Sequence, residues 1–396
     1  MTTMKIAFFL NRLNHHQVQV ADELYALLGD KYKFVELCEP NEGSQKGDKT
    51  DYSSKPYLVQ AWKGESDRIY AKKIAITFDA CVFGTLASYP YQKLRLRENK
   101  LSFEVSERWL KRGIKNLVSP TISRMFFTYW MEGWYKKPLY KLCSSAFAAS
   151  DHKLLGMYKG KCYKWGYFTK VEKSVEATTD VSTSEITPLM WCSRFLTLKH
   201  PELPVLMAKR LKDKGYKFIL DMYGSGEYEE ASKSFVRSLG LSDIVKFHGN
   251  VPNDQVHDGM RNAEIFLFTS DRYEGWGAVA NESMSEGCVL VASNHIGSAP
   301  YLIKDNENGF LFTSSKVDCS FYNPDNKALE SLTSKVEWLL DHPHERKMMQ
   351  KNATNSIQKI WSPQNAARSL LRLIDDLQHG RDCSVKDGPA SVAELI

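Results

Sequence analysis

Hydrophobic and polar positions follow two alternating rhythms along the chain. The run "IAFFL", residues 6–10, is apolar throughout and bounded by polar residues, which predicts a buried strand. "NRLNHHQ" follows as a loop, "VQVADELYALLGD" as an amphipathic helix ending near Gly29, and "KYKFVEL" as a second strand. Strand, loop, helix, strand in that order argues for a parallel sheet with crossover helices. "KIAITFDACVFG" and "KLSFEVSE" read as further strands, and "SSAFAAS" as another near residue 147. The pattern then lapses: "TKVEKSVEATTDVSTSEIT", residues 169–187, has little to bury and reads as an interdomain linker.

A second alternation begins beyond it. "LMWCSRF", "KFILDMYG", "IVKFHG", "EIFLFTS" and "VLVAS" read as strands, separated by the helical patterns "PVLMAKRLKDKG", "EEASKSFVRSLG" and "NDQVHDGMRNA". "WSPQNAARSLLRLIDDLQ" has apolar residues at helical spacing after a Ser-Pro start and predicts a terminal helix. The closing "GRDCSVKDGPASVAELI" carries no pattern and reads as a mobile tail. The expected division is a first α/β domain over 1–170, a linker over 171–187, a second over 188–362, a helix over 363–380 and a tail over 381–396. The fold class is two doubly wound, Rossmann-like domains facing a cleft, with ligands expected beyond the carboxyl ends of the strands.

Composition narrows the class. A chain of 396 residues exceeds a single core of ordinary size, and 43% hydrophobic with 25% charged residues is the balance of a soluble globular protein. No stretch approaches the ~20 apolar residues of a membrane span, and the N-terminal run is too short for a signal-peptide core. The eight cysteines are scattered without a CxxC pair, so reduced thiols and a cytoplasmic location are expected. A net charge of +6 matters only where it is concentrated.

The densest chemistry lies in "RYEGWGAVANESMSEGC", residues 272–288. Glu274 precedes a small-residue turn and Glu282 stands eight positions on, one turn into a helix that should start near Gly277 or Ala278. The amides of Gly277, Ala278 and Val279 would form an anion site at the helix start, helped by its dipole. Carboxylates only accept hydrogen bonds, so the two glutamates suit hydroxyl donors such as those of a sugar or ribose. A solvated loop residue and a dipole-favoured helix-start charge would give the same spacing, so the surroundings must decide.

Those surroundings run "MWCSRFLTLKH … ILDMYGSGEYEE … LSDIVKFHGNVP … AEIFLFTSDRYEGWGAVANESMSEGCVLVASNHIGSAPYLIKDNENGFLF". Element by element this resembles the donor-binding domain of the retaining glycosyltransferases of family 4, over residues 188–377. The resemblance implies the GT-B architecture, with the terminal helix returning to the first domain. It further implies that Glu282 holds the ribose hydroxyls of a nucleotide-diphosphate sugar, UDP-linked by expectation, and that Glu274 approaches the donor sugar. Arg194 and Lys199 match the basic pair that neutralises the diphosphate. Gly224 and Gly226 match glycines near the nucleotide, and Asn250 and Val251 a loop whose backbone meets the base. Two departures stand out: Ser193 where a glycine is usual, and His200 instead of glycine after Lys199.

The first half is less familiar. Its first loop carries His15 and His16 where many relatives have a Gly-Gly pair, and "FEVSERW" puts Glu107 where a cleft histidine is common, so these three are acceptor-side candidates. The resemblance also implies a front-face substitution in which the leaving diphosphate takes the acceptor proton. Protein cations would supply the electrostatic stabilisation, no Asp-x-Asp occurs, and neither a metal nor a separate cofactor is expected. The stretch 108–141 gathers Arg108, Lys111, Arg112, Lys115, Arg124, Lys136, Lys137 and Lys141 among tryptophans and tyrosines, which fits an anionic membrane surface; no nucleic-acid module accompanies it. The resulting expectation is a retaining, metal-independent hexosyltransferase acting on a glycan or polyprenyl-linked acceptor in surface polysaccharide synthesis, peripheral at the inner face of the plasma membrane. A nucleotide-sugar epimerase on the same architecture, or a non-catalytic nucleotide-sugar-binding protein, are the alternatives.

Overall fold

The computed structural model describes residues 4–39, 50–170, 185–314 and 319–396. Most of the expected linker, 171–184, lies outside them. The chain divides into two compact units, Met1–Lys170 with Ile360–Ile396, and Val171–Lys359.

In the first unit the strands are β1 (Ile6–Leu10), β2 (Tyr32–Glu36), β3 (Leu58–Gln60), β4 (Ala80–Phe83), β5 (Ser102–Ser106), β6 (Leu139–Cys143) and β7 (Cys162–Lys164). The helices are α1 (Val18–Leu28), α2 (Glu65–Thr77), α3 (Tyr89–Arg97), α4 (Pro120–Met131) and α5 (Ala148–Leu154). The strands form one parallel sheet in the order β3-β2-β1-β4-β5-β6-β7. All five residues of β1 are buried, as befits a central strand covered on both faces.

Two expected strands are corrected. All of "KIAIT" closes α2, where Ala71, Ile74 and Ala75 are buried at helical spacing, and only the following Ala80–Phe83 is strand. A short apolar run does not distinguish the two periods. "SSAFAAS" is a turn leading into α5, while the true strand, "LYKLC", hides its pattern behind a buried lysine, Lys141.

The second unit contains β8 (Thr187–Cys192), α6 (Glu202–Asp213), β9 (Phe218–Tyr223), α7 (Glu229–Ser238), β10 (Val245–Gly249), α8 (Asn253–Asn262) and β11 (Ile265–Phe268). It continues with α9 (Val279–Ser285), β12 (Val289–Ser293), α10 (Ala299–Leu302), β13 (Gly309–Phe312), α11 (Asn326–Asp341) and α12 (Pro343–Lys359). Its parallel sheet has the order β10-β9-β8-β11-β12-β13. Leu189, Trp191, Leu220, Met222, Ile265 and Leu267 pack with Leu203, Met207 and Leu332 in one core. The chain winds outward from β8 to β10, then returns to lay β11 on the other side of β8. That reversal is a topological switch point, where the loops on either side part to open a crevice.

Helix α13 (Pro363–Gln378) rejoins the first unit. Ser362 caps it by accepting from the Asn365 amide, Ala366, Ala367, Leu370, Leu373 and Ile374 are buried, and it packs on α1, where Gln364 Nε2 donates to Glu23 Oε1 at 2.7 Å. The expected tail is not loose. Tyr163 and Val392 form an antiparallel bridge, the Lys164 amide donates to Ser391 O and the Ala390 amide to Lys164 O, both at 2.7 Å. The tail occupies the open edge of β7, which otherwise would leave backbone groups unpaired.

Candidate functional site

In the second unit the loops at the carboxyl ends of β8, β9, β10 and β11 carry the candidate residues, and β8 and β11 flank the switch point. Arg194 follows β8, Gly224 and Gly226 follow β9, Asn250 and Val251 follow β10, and the Glu274 segment follows β11. Arg194 is exposed, and no ion pair is found for it among the described residues. Gly224 and Gly226 have φ of +114° and +151°, and an added Cβ would meet Ser193 O at 2.0 Å and Phe195 O at 2.7 Å. These glycines let the loop after β9 lie against the backbone that bears Arg194, tied by Phe195 N donating to Ser225 O at 3.0 Å. Asn250 is exposed and Val251 half-buried in the next loop.

Lys199 and Glu274 form a direct ion pair, with side chains only 12% and 14% exposed. The sequence names both residues but does not reveal that they pair. Glu274 is aimed by a tight turn: its amide donates to Asp271 O at 3.1 Å, and the Tyr273 amide to Asp271 Oδ1 at 2.8 Å. Gly277, with φ of +81°, is required because a Cβ there would strike the Phe268 ring at 2.3 Å. Trp276, fully buried, donates from Nε1 to Asn281 Oδ1 at 2.7 Å and anchors the turn to α9. Ala278 is the N-cap of α9, and Val279 its first residue. The first-turn amides of a helix have no partner within it, and those of Ala278 and Val279 stand at this helix start. Glu282 is half-buried in that turn, close enough for its charge to act on Cys192 at the end of β8 and on His257 of α8.

His200 is buried at φ +48°, with Nδ1 2.8 Å from Glu202 Oε1 and Nε2 3.4 Å from Asp271 Oδ2. Burial alone would lower its pKa, but the hydrogen bonds to Asp271 and Glu202 outweigh this and raise it from 6.5 to about 9. In the sequence His200 stands out only as a departure from the family pattern, and nothing there marks Glu202 and Asp271 as its partners except that Glu202 lies two positions on. Among the described residues no three His, Cys, Asp or Glu side chains gather as metal ligands.

The first-unit candidates also converge, through a residue the sequence did not single out. His16, after β1, stacks on Tyr167 with ring centres 5.1 Å apart, and Tyr167 OH donates to Glu107 Oε1 at 2.8 Å. Glu107, just beyond β5, also receives Lys111 at 3.0 Å, while His15 lies against His16 with centres 3.7 Å apart. His16, Gln17 and Tyr167 line an apolar cavity of about 40 Å³ with Phe8, Leu10 and Phe168. That is far below the ~300 Å³ of a small-molecule pocket.

The basic aromatic stretch is not one surface. Lys141 is fully buried and pairs with Glu104 at 3.0 Å, Arg108 pairs with buried Asp151 at 3.0 Å, and Trp109 and Trp134 belong to the core. Part of the remainder is exposed: Ile114, Val118, Phe127, Trp130, Met131 and Tyr135, beside Arg112, Lys115, Arg124 and Lys136. Among the described residues no helix is long and apolar enough to cross a membrane.

Residues 189–356 match the family of glycosyl transferases group 1. The chain is 21% identical over 179 residues to a protein of Escherichia coli named as the colanic acid biosynthesis glycosyltransferase WcaL, covering 42% of this chain and 44% of WcaL. It is 32% identical over 106 residues to the amylovoran biosynthesis glycosyltransferase AmsK of Erwinia amylovora, covering 26% of each. The chain thus spans less than half the length of these curated relatives. Among solved structures, Anabaena HepE in complex with UDP superposes with a TM-score of 0.64 over 94% of this chain and 100% of HepE, at 13% identity. The two Rossmann-like sheets are thus those of a GT-B fold, with the match to the group 1 glycosyl transferases confined to residues 189–356 of the second unit.

Proposed function

We propose that the protein is a retaining glycosyltransferase that moves a hexose from a UDP-sugar to a hydroxyl of a glycan or polyprenyl-linked acceptor, as in the assembly of a surface polysaccharide. The observation carrying this reading is the Lys199–Glu274 ion pair across the loops that follow β8 and β11, with Arg194 on the first of these loops and Glu282 on the helix after the second, in a region that matches the group 1 glycosyl transferases. That HepE was solved with UDP supports the choice of nucleotide.

Glu282 accepts from the ribose hydroxyls. Lys199, Arg194 and the first amides of α9 face the diphosphate, and Asn250 and Val251 the base. As the bond from the anomeric carbon to the phosphate oxygen lengthens, negative charge grows on the diphosphate. The two cations and the amides stabilise it without a metal. The acceptor oxygen enters from the same face, and its proton passes to the departing phosphate oxygen. Because Lys199 is held by Glu274, the diphosphate must draw it away, which leaves Glu274 to meet the sugar. Glu107, His15, His16 and Tyr167 are the acceptor-side candidates of the first unit.

The partner surface is a membrane rich in anionic lipid. Helix α4 buries Tyr129 yet exposes Phe127, Trp130 and Met131, so it is apolar on the side facing solvent too. Flanking Arg112, Lys115, Arg124 and Lys136 complement lipid phosphate. The protein should sediment with vesicles containing phosphatidylglycerol, and Phe127→Ser with Met131→Ser should release it.

Incubation with a panel of nucleotide sugars and acceptor extracts, following release of nucleoside diphosphate and the anomeric configuration of the product, tests the activity. Inversion at the anomeric carbon would refute the retaining mechanism. Epimerised sugar nucleotide formed without acceptor would favour the epimerase.

A further inference from the structure

His200 occupies a backbone conformation that glycine adopts at no steric cost, yet it carries a buried ring clasped by two carboxylates. The elements it joins are the two that bear the proposed diphosphate and sugar contacts. On one side, Glu202 opens α6, with its side chain 1% exposed. On the other, Asp271 begins the turn that aims Glu274, holding it through the Tyr273 and Glu274 amides. The same two loops are stitched by backbone and hydroxyl: the Asp271 amide donates to Leu198 O at 2.9 Å, and Thr269 Oγ1 donates to Lys199 O at 2.7 Å while accepting from Trp191 Nε1 at 2.9 Å. Lys199, the adjacent residue, closes the circuit on Glu274.

We propose that His200 is a positioning residue whose ring, bridging Glu202 and Asp271, holds the Lys199 loop in register with the Glu274 turn. Its effect on nucleotide affinity rests on the proposed function; the brace itself does not. The ring faces Glu202 from α6 and Asp271 from the turn after β11, with Lys199 beside it in its own loop. Protonated, it leaves one net negative charge among the three groups. Deprotonated, it leaves two, in a part of the molecule meant to admit a diphosphate, and one of its two nitrogens loses its hydrogen and can no longer donate to a carboxylate.

The test uses the full chain and the variants His200→Gly and His200→Asn, both of which tolerate the left-handed backbone. Hydrogen exchange at the Asp271 and Glu274 amides reads the brace without any ligand, and calorimetry with UDP from pH 7 to pH 10 reads its consequence. At pH 7 both variants should exchange these amides at least about tenfold faster than wild type and bind UDP about tenfold more weakly, as for a lost charged hydrogen bond. Both ratios should shrink towards one by pH 10, as wild type loses its imidazolium. Ratios to wild type are the quantity read, because uracil itself ionises in alkaline solution. His200→Gly matching wild type in exchange at pH 7, or an exchange ratio that does not change with pH, would overturn the brace. If exchange behaves as stated but wild type takes up no UDP at any pH, the nucleotide reading falls and the brace stands.

Discussion

Two lysine–glutamate pairs, one in each unit, serve opposite ends. Lys141 and Glu104 sit mid-strand on neighbouring β6 and β5, 0% and 3% exposed. Tyr158 OH donates to Glu104 Oε2 at 2.9 Å, and the Lys141 ammonium lies 5.0 Å from the centre of the Trp109 ring. Every charge there is held from several sides. Lys199 and Glu274 sit on loops beyond β8 and β11, still partly open to solvent, and each is the other's main partner. The first pair is sealed and can only support the fold; the second is open enough to exchange partners, as the proposed chemistry requires. Residue type does not distinguish the two; depth and the number of competing partners do.

The comparison can be broken at either pair. The largest expected effect is on catalysis: Glu274→Ala should lower turnover by about 10²–10³-fold, the scale of one lost electrostatic contact to developing charge. Thermal unfolding of that variant should stay close to wild type, since the pair is partly exposed. Next comes the sealed pair. Glu104→Ala leaves a buried ammonium without its carboxylate, so chemical denaturation should show a loss of about 3–5 kcal/mol. If Glu104→Ala were as stable as Glu274→Ala, the contrast between the pairs would be wrong.

A smaller effect concerns pH. The folded pKa of His200 is raised to about 9 from 6.5, so its stabilising contribution is complete below about pH 6.5 and is lost as pH rises through about 9. Denaturation across that window should show wild type losing stability relative to His200→Asn. The opposite slope would mean that the ring is buried neutral. The smallest expected effect is none at all: EDTA should leave turnover unchanged, checked by assay with and without added magnesium.

The same contrast explains what the sequence disclosed. The second unit was legible because its loops carry glycines fixed by what they touch, in a pattern the family shares. Gly224 cannot bear a side chain against Ser193 O, and Gly277 cannot against Phe268. The first unit was not. Its strand "LYKLC" reads as part of a basic patch because Lys141 is neutralised by Glu104, a partner 37 positions away. The tail reads as patternless because what orders it is backbone pairing with β7, which needs no particular side chains. Tyr167 was overlooked for a related reason: only the fold sets its ring on His16 and its hydroxyl on Glu107.

The central claim is that Glu282 serves the nucleotide while Glu274 serves the sugar and, until then, restrains Lys199. Calorimetry with UDP on Glu274→Ala and Glu282→Ala tests it directly. Glu282→Ala should bind about tenfold more weakly, having lost a charged acceptor for the ribose. Glu274→Ala should bind as tightly as wild type or more tightly, because Lys199 no longer has to leave a carboxylate. Weakening of UDP by Glu274→Ala as severe as that by Glu282→Ala would contradict this division.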